Sequence, residues 1–171
     1  MIRAPRLSPL EQTIMYWLAL NREWTAIATL QDDIVPGISR ANLLEALESL
    51  VCRSLIETRV SHDEATSAIE YTQQPVIMEY VPDHFIQQLV AELLEGHVTV
   101  FSHYAILKTT VLDYIRDSQI RLILHPISEQ LCQTVQHTNQ QLEPYLRSLL
   151  SALRSAPEAA VGYGIGNFIN Q

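Results

Sequence analysis

The sequence predicts a mainly α-helical protein with one small antiparallel β-hairpin set between a group of short helices and a second, longer-helix region. Three observations carry this. Apolar residues recur at i, i+4 and i+7 through most of the chain, the spacing of a single buried helix face. Only residues 55–60 (LIETRV) and 68–72 (AIEYT) alternate apolar and polar side chains as half-buried strands do. Between them SHDEATS has the Ser, Asp and Thr content of a hairpin loop, and Gln74-Pro75 closes the second strand and starts a helix.

The chain opens structurally at Ser8-Pro9-Leu10-Glu11, where a cap residue, proline at the first helical position and glutamate three residues after the serine form a capping box. The spacing predicts a helix over 9–20, with Leu10, Ile14, Trp17 and Leu18 on its inner face and Asn21-Arg22 as its end. Trp24-Thr25 allows at most a scrap of strand before a short helix over 26–32, and Val35-Pro36-Gly37 makes a turn. Ser39 caps a helix over 40–53, with Leu43, Leu47, Leu50 and Val51 inward and Asn42, Glu45 and Glu48 outward. Helix, short helix, helix, two-stranded hairpin is the order of a winged helix.

Beyond the hairpin, Ile77, Val81, Phe85 and Leu89 predict a helix over 75–95 stopped by Gly96. Pro82 interrupts its hydrogen bonding, so a kink near Met78 or a break at Val81 is expected. Further helices are predicted over 104–124, ended by Pro126; from a Ser128 cap to about 135; and over 144–155, making a small helical bundle. The glycine-containing tail reads as a lead-out. The expected domains are a winged helix over 7–75, a helical region over 76–156 and a linker or tail over 157–171.

Composition narrows the function. With 171 residues and 47% apolar content the chain can bury a core. The net charge of -8 argues against a surface built to neutralise phosphates. Residues 1–75 alone hold six arginines against ten acidic residues. Cys52 and Cys132 are too few and too far apart for a disulfide framework or a four-cysteine zinc site, which fits a reduced cytoplasmic setting. No run approaches the roughly 18 apolar residues of a membrane span, so no membrane partner is expected.

No reaction chemistry stands out. His62-Asp63-Glu64 lacks the i, i+4 geometry that aims two ligands at one metal, and reads as a solvated turn. The other histidines are scattered one per segment. Gly162-Tyr163-Gly164-Ile165-Gly166 has neither a strand running into it nor an acidic partner beyond it, so it is not read as a dinucleotide turn. There is no P-loop and no nucleophile motif. No catalytic residue, metal site or cofactor is therefore expected, and the chain is read as a non-enzyme. A winged helix also raises DNA: Arg40, Asn42 and Arg53 are the residues that would reach it, but they stand among Glu45, Glu48 and Glu57.

Several phrases carry a resemblance. LSPLEQTIMYWLAL, SRANLLEALESLVCRSLIE, YTQQPVIMEYV and DYIRDSQIRLILHPI are similar to the region after the nucleotide-binding core in bacterial STAND-class (NB-ARC, AP-ATPase type) proteins, especially cyanobacterial ones carrying WD repeats, and GYGIGNFIN resembles the junction before their repeats. The resemblance implies a winged helix and helical arm that clamp a nucleotide core when ADP is bound, with protein partners in that core or a repeat domain. The family's sensor is a Met-His-Asp motif where sheet meets helix. Here Gln73-Gln74-Pro75 stands there, with Gln74 in the place of the phosphate-touching histidine and Pro75 in that of the aspartate, so a titratable group and a carboxylate are both absent. Gln73, Pro75 and Pro82 are the expected hinge and helix-start positions.

Overall fold

The computed structural model describes residues 7–63, 66–108, 111–137, 142–155 and 162–169. The protein is mainly α-helical with a small three-stranded antiparallel sheet. It divides into two compact units, Met1–Val81 and Pro82–Gln171.

In the first unit, α1 (Pro9–Asn21) begins with the predicted capping box, Ser8 Oγ accepting from Glu11 N–H and Glu11 Oε2 accepting from Ser8 N–H. It ends where Arg22 turns left-handed at φ 56. Ile14, Trp17 and Leu18 are buried as the stripe requires, and so are Met15, Tyr16 and Leu20, so the helix is enclosed on most sides. A two-residue strand, β1 (Thr25–Ala26), precedes α2 (Ile27–Asp33). The Val35-Pro36 peptide bond in the following turn is cis. Ser39 caps α3 (Arg40–Cys52), accepting from Asn42 N–H. Leu43, Leu47 and Leu50 line its inner face, but Ala46 takes the place expected of Val51, which is exposed. The 3.6-residue repeat allows either, since positions 46 and 51 flank the 43, 47 and 50 stripe on opposite sides; it is the flank carrying Ala46 that is buried.

The hairpin is longer than the sequence predicts. β2 (Ile56–Asp63) pairs with β3 (Thr66–Gln73) from Ile56↔Gln73 to Asp63↔Thr66, so most of SHDEATS is strand. Polar side chains do not stop the ladder, because its hydrogen bonds join backbone groups whatever side chains the strands carry. β1 adds to the other side of β3, Thr25 opposite Tyr71, giving the order β1-β3-β2. The scrap of strand is thus a third strand, recruited by an edge that no local pattern announces.

β3 passes at Gln74 into α4 (Pro75–Leu94). The expected break at Val81 is absent: α4 runs uninterrupted through Pro82, which lies inside it. The one bond that Pro82 removes is offset by burial on each side, Val81 in the first unit and Phe85, Ile86 and Leu89 in the second. Gly96, at φ 81, ends the helix in a Schellman pattern, with Gly96 N–H on Leu93 C=O and His97 N–H on Glu92 C=O.

The second unit departs further from expectation. Residues 104–108 are not helical; they follow the short α5 (Thr99–His103) as an irregular segment. Helix resumes at α6 (Asp113–Gln119), passes through a π-turn (Ile120–Leu124) and continues as α7 (His125–His137). Pro126 therefore does not end a helix, and Ser128 is interior, not a cap. In the π-turn His125 N–H reaches back five residues to Ile120 C=O, a widened register that makes room for the proline ring immediately after it. α8 (Leu142–Ser155) starts two residues before Pro144. Within the tail expected as a linker over 157–171, Gly164–Ile169 form α9; residues 157–161 and 170–171 lie outside the described residues.

Candidate functional site

The candidate site is the corner where β3 becomes α4. Gln73, the last residue of β3, is 1% exposed, and its side-chain Nε2 donates to the Met15 carbonyl of α1 at 2.7 Å. Its Oε1 is buried without a hydrogen-bond partner among the described residues. Gln74 N–H donates to Leu55 C=O at 3.2 Å, continuing the ladder, while Gln74 C=O accepts the first helical bond from Met78 N–H. Pro75 stands at the first helical position, where its missing N–H costs nothing. The corner is thus fixed on both sides, and α4 leaves it presenting Val76 at 77% and Tyr80 at 67% exposure.

Gln73 was legible only as a helix-start position; the structure makes it a buried anchor. The signal was available, since it follows Tyr71 by two residues and so shares the inward face of the strand. Gln74 is half-buried beside it.

A second cluster fastens α1 to α3. Glu11 accepts from Ser49 Oγ at 2.6 Å and from Arg53 Nη1 at 3.3 Å, besides its capping bond to Ser8. Burial alone would raise its carboxyl pKa, but the Ser49 hydroxyl, Ser8 and the Arg53 guanidinium together hold it below the ordinary glutamate range. Burial pushes the Tyr16 phenol up, against the Gln12 amide that donates to it at 2.8 Å. Burial, and then the Glu48 carboxylate, push Tyr71 up. Of the residues named for DNA, Arg40 and Asn42 are exposed at the start of α3, whereas Arg53 is turned onto Glu11. The Arg53 charge is thus partly countered by the Glu11 carboxylate.

Glu64 of the His62-Asp63-Glu64 turn, with the side chains of its neighbours, lies outside the described residues. Among the described residues no group of three or more His, Cys, Asp or Glu side chains could hold a metal ion, and no helix is long and apolar enough to cross a membrane.

The polar residue that sequence reasoning missed is Asn167. It is 2% exposed in α9 and makes three bonds: Nδ2 to the carbonyls of Phe101 and Tyr104, and Oδ1 from Ile106 N–H. Gln119 does the same for Lys108 N–H. These two side chains satisfy the backbone of the irregular segment that was expected to be helical.

The chain is 36% identical, over 198 aligned positions and 96% of its own length, to a WD repeat-containing protein of Nostoc sp. (strain PCC 7120). The chain spans only 15% of that relative's length. No family model matches the chain, and no solved structure matches it.

Proposed function

We propose that the chain is a non-catalytic regulatory and interaction module of a STAND-type signalling NTPase, packing on a nucleotide-binding core or a partner domain. The observation that carries this reading is the β3–α4 corner. A buried amide and the sheet ladder hold its backbone still, while the helix that leaves it exposes Val76 and Tyr80. A fixed corner with large apolar groups in water suits a surface that another protein covers. The similarity to a WD repeat-containing protein supports a setting in which such contacts are made. Gln74 would meet the nucleotide only when a core supplies the rest of its site.

Two measurements test this. The purified chain is expected to show no ATP turnover and at most very weak ADP binding by calorimetry; submicromolar binding would overturn the reading. Mixed with the nucleotide-binding segment of a STAND protein of this type, it should bind, and no association at micromolar concentration would also overturn the reading. Binding to random duplex DNA that falls steeply with salt would instead favour the acidic winged-helix regulator, a reading weakened by the Arg53–Glu11 pair.

A further inference from the structure

Among the described residues the order β1-β3-β2 leaves β2 bonded on one side only. The bond from Gln74 N–H to Leu55 C=O shows that residue 55 turns its backbone groups toward β3. In an antiparallel ladder this alternates, so residues 57, 59 and 61 also face β3 while the N–H and C=O groups of Ile56, Thr58, Val60 and His62 point outward. Residues 57–60 are exposed, Val60 at 53%. Such an edge is a template for another strand.

The side chains along this edge select which strand. Residues 56–60 read Ile-Glu-Thr-Arg-Val, apolar, acidic, neutral, basic, apolar, so the charges are opposite about Thr58. Two copies placed antiparallel about a twofold axis at Thr58 set Ile56 against Val60, Glu57 against Arg59 and Thr58 against Thr58. The outward backbone groups then meet at 56, 58 and 60. The Glu57–Arg59 pairs fall at the non-hydrogen-bonded positions, where facing side chains are closest. Centring the axis one residue away would oppose Glu57 to Glu57 or Arg59 to Arg59, which disfavours those registers. Arg59 is already held in place, its Nε on Glu70 Oε2 at 2.7 Å and its guanidinium 4.6 Å from the Trp24 ring, and it has further donors for a second carboxylate.

We propose that β2 is a self-pairing edge, through which two copies of this chain join their sheets in the order β1-β3-β2-β2-β3-β1. The inference stands on the edge alone and does not depend on the functional reading above. A ladder of five residues is a small interface, so the dimer forms at high protein concentration and dissociates on dilution.

Sedimentation equilibrium of the 171-residue chain over a concentration series tests it. The average mass is expected to rise from 19.4 kDa toward twice that value. Glu57→Arg replaces two attractive pairs by repulsive ones and should weaken association about tenfold at low salt, with part of the loss recovered at high salt. Thr58→Pro deletes the outward N–H on the axis and should weaken association about tenfold at every salt concentration; proline is tolerated on the solvent side of an edge strand, and circular dichroism with the thermal midpoint verifies the fold. A wild-type mass of 19.4 kDa at every concentration overturns the proposal. So does a dimer that the folded variants retain. Should Thr58→Pro fail to fold, Glu57→Arg decides alone, and wild-type association of that variant at low salt is the refuting result.

Discussion

Gln73 in the first unit and Asn167 in the second are both carboxamides buried to within 2% of completely, yet they are used differently. Asn167 has donor and acceptor engaged, holding three backbone groups of the Phe101–Ile106 region that no helix or strand would otherwise satisfy. Among the described residues the Gln73 side chain makes one bond, to a carbonyl already inside a helix, and its oxygen is unpaired. The Asn167 amide replaces secondary structure; the Gln73 amide only supplements it. A buried polar group earns its place by what would be orphaned without it.

The sharpest way to break the comparison is Asn167→Leu. Removing the amide strands two carbonyls and one N–H in the interior, so a loss of about 4 kcal/mol in urea-denaturation stability is expected, from about 1–3 kcal/mol per buried unsatisfied group. The Ile106 amide should also lose its protection from hydrogen exchange. Wild-type protection would show that Asn167 does not hold the segment.

Gly162→Ala attacks the same attachment from the backbone. Gly162 sits at φ 40, and a Cβ there would lie 2.2 Å from the Ser102 carbonyl oxygen, the acceptor for Tyr163 N–H. Strain and clash together should cost about 2–3 kcal/mol, read as a lower thermal midpoint. An unchanged midpoint would mean that α9 can shift without loss.

These dependencies explain which parts of the fold were legible. The first unit is written in short-range signals: Ser8 and Glu11 are three residues apart, Ser39 caps its own helix, and Gln74-Pro75 marks its own corner. The second unit depends on Asn167, which reaches back 61–66 residues, and on Gln119, which reaches back 11. The helix predicted over 104–124 fails at 104–108, where those side chains satisfy the backbone without a helix. Even in the first unit the local half of a cluster was readable and the distant half was not. The capping box announced Glu11, but Ser49 and Arg53 lie 38 and 42 residues away.

That same cluster supplies a charged counterpart to the two amides. Glu11 has its carboxylate engaged by Ser8, Ser49 and Arg53, and its folded pKa lies below the ordinary glutamate range. A depressed carboxylate stabilises the fold fully above its unfolded pKa, and the contribution is lost as pH falls through the folded value. Glu11→Gln should therefore cost about 1 kcal/mol at neutral pH. Its stability should also fall less steeply than wild type as pH drops below about 4.5. Parallel stability curves for the two proteins would show that Glu11 titrates alike folded and unfolded.

Gln73→Met should have the smallest effect of all. The Met15 carbonyl keeps its helical partner, so the substitution strands nothing, and it removes a desolvated oxygen without a partner among the described residues. The lost hydrogen bond and the relieved burial oppose each other, leaving a net change within about 1 kcal/mol of zero by chemical denaturation. A loss as large as that of Asn167→Leu would mean that Oε1 has a partner after all, an ordered water being the physical candidate, and that the corner at Gln74 is held as tightly as the tail.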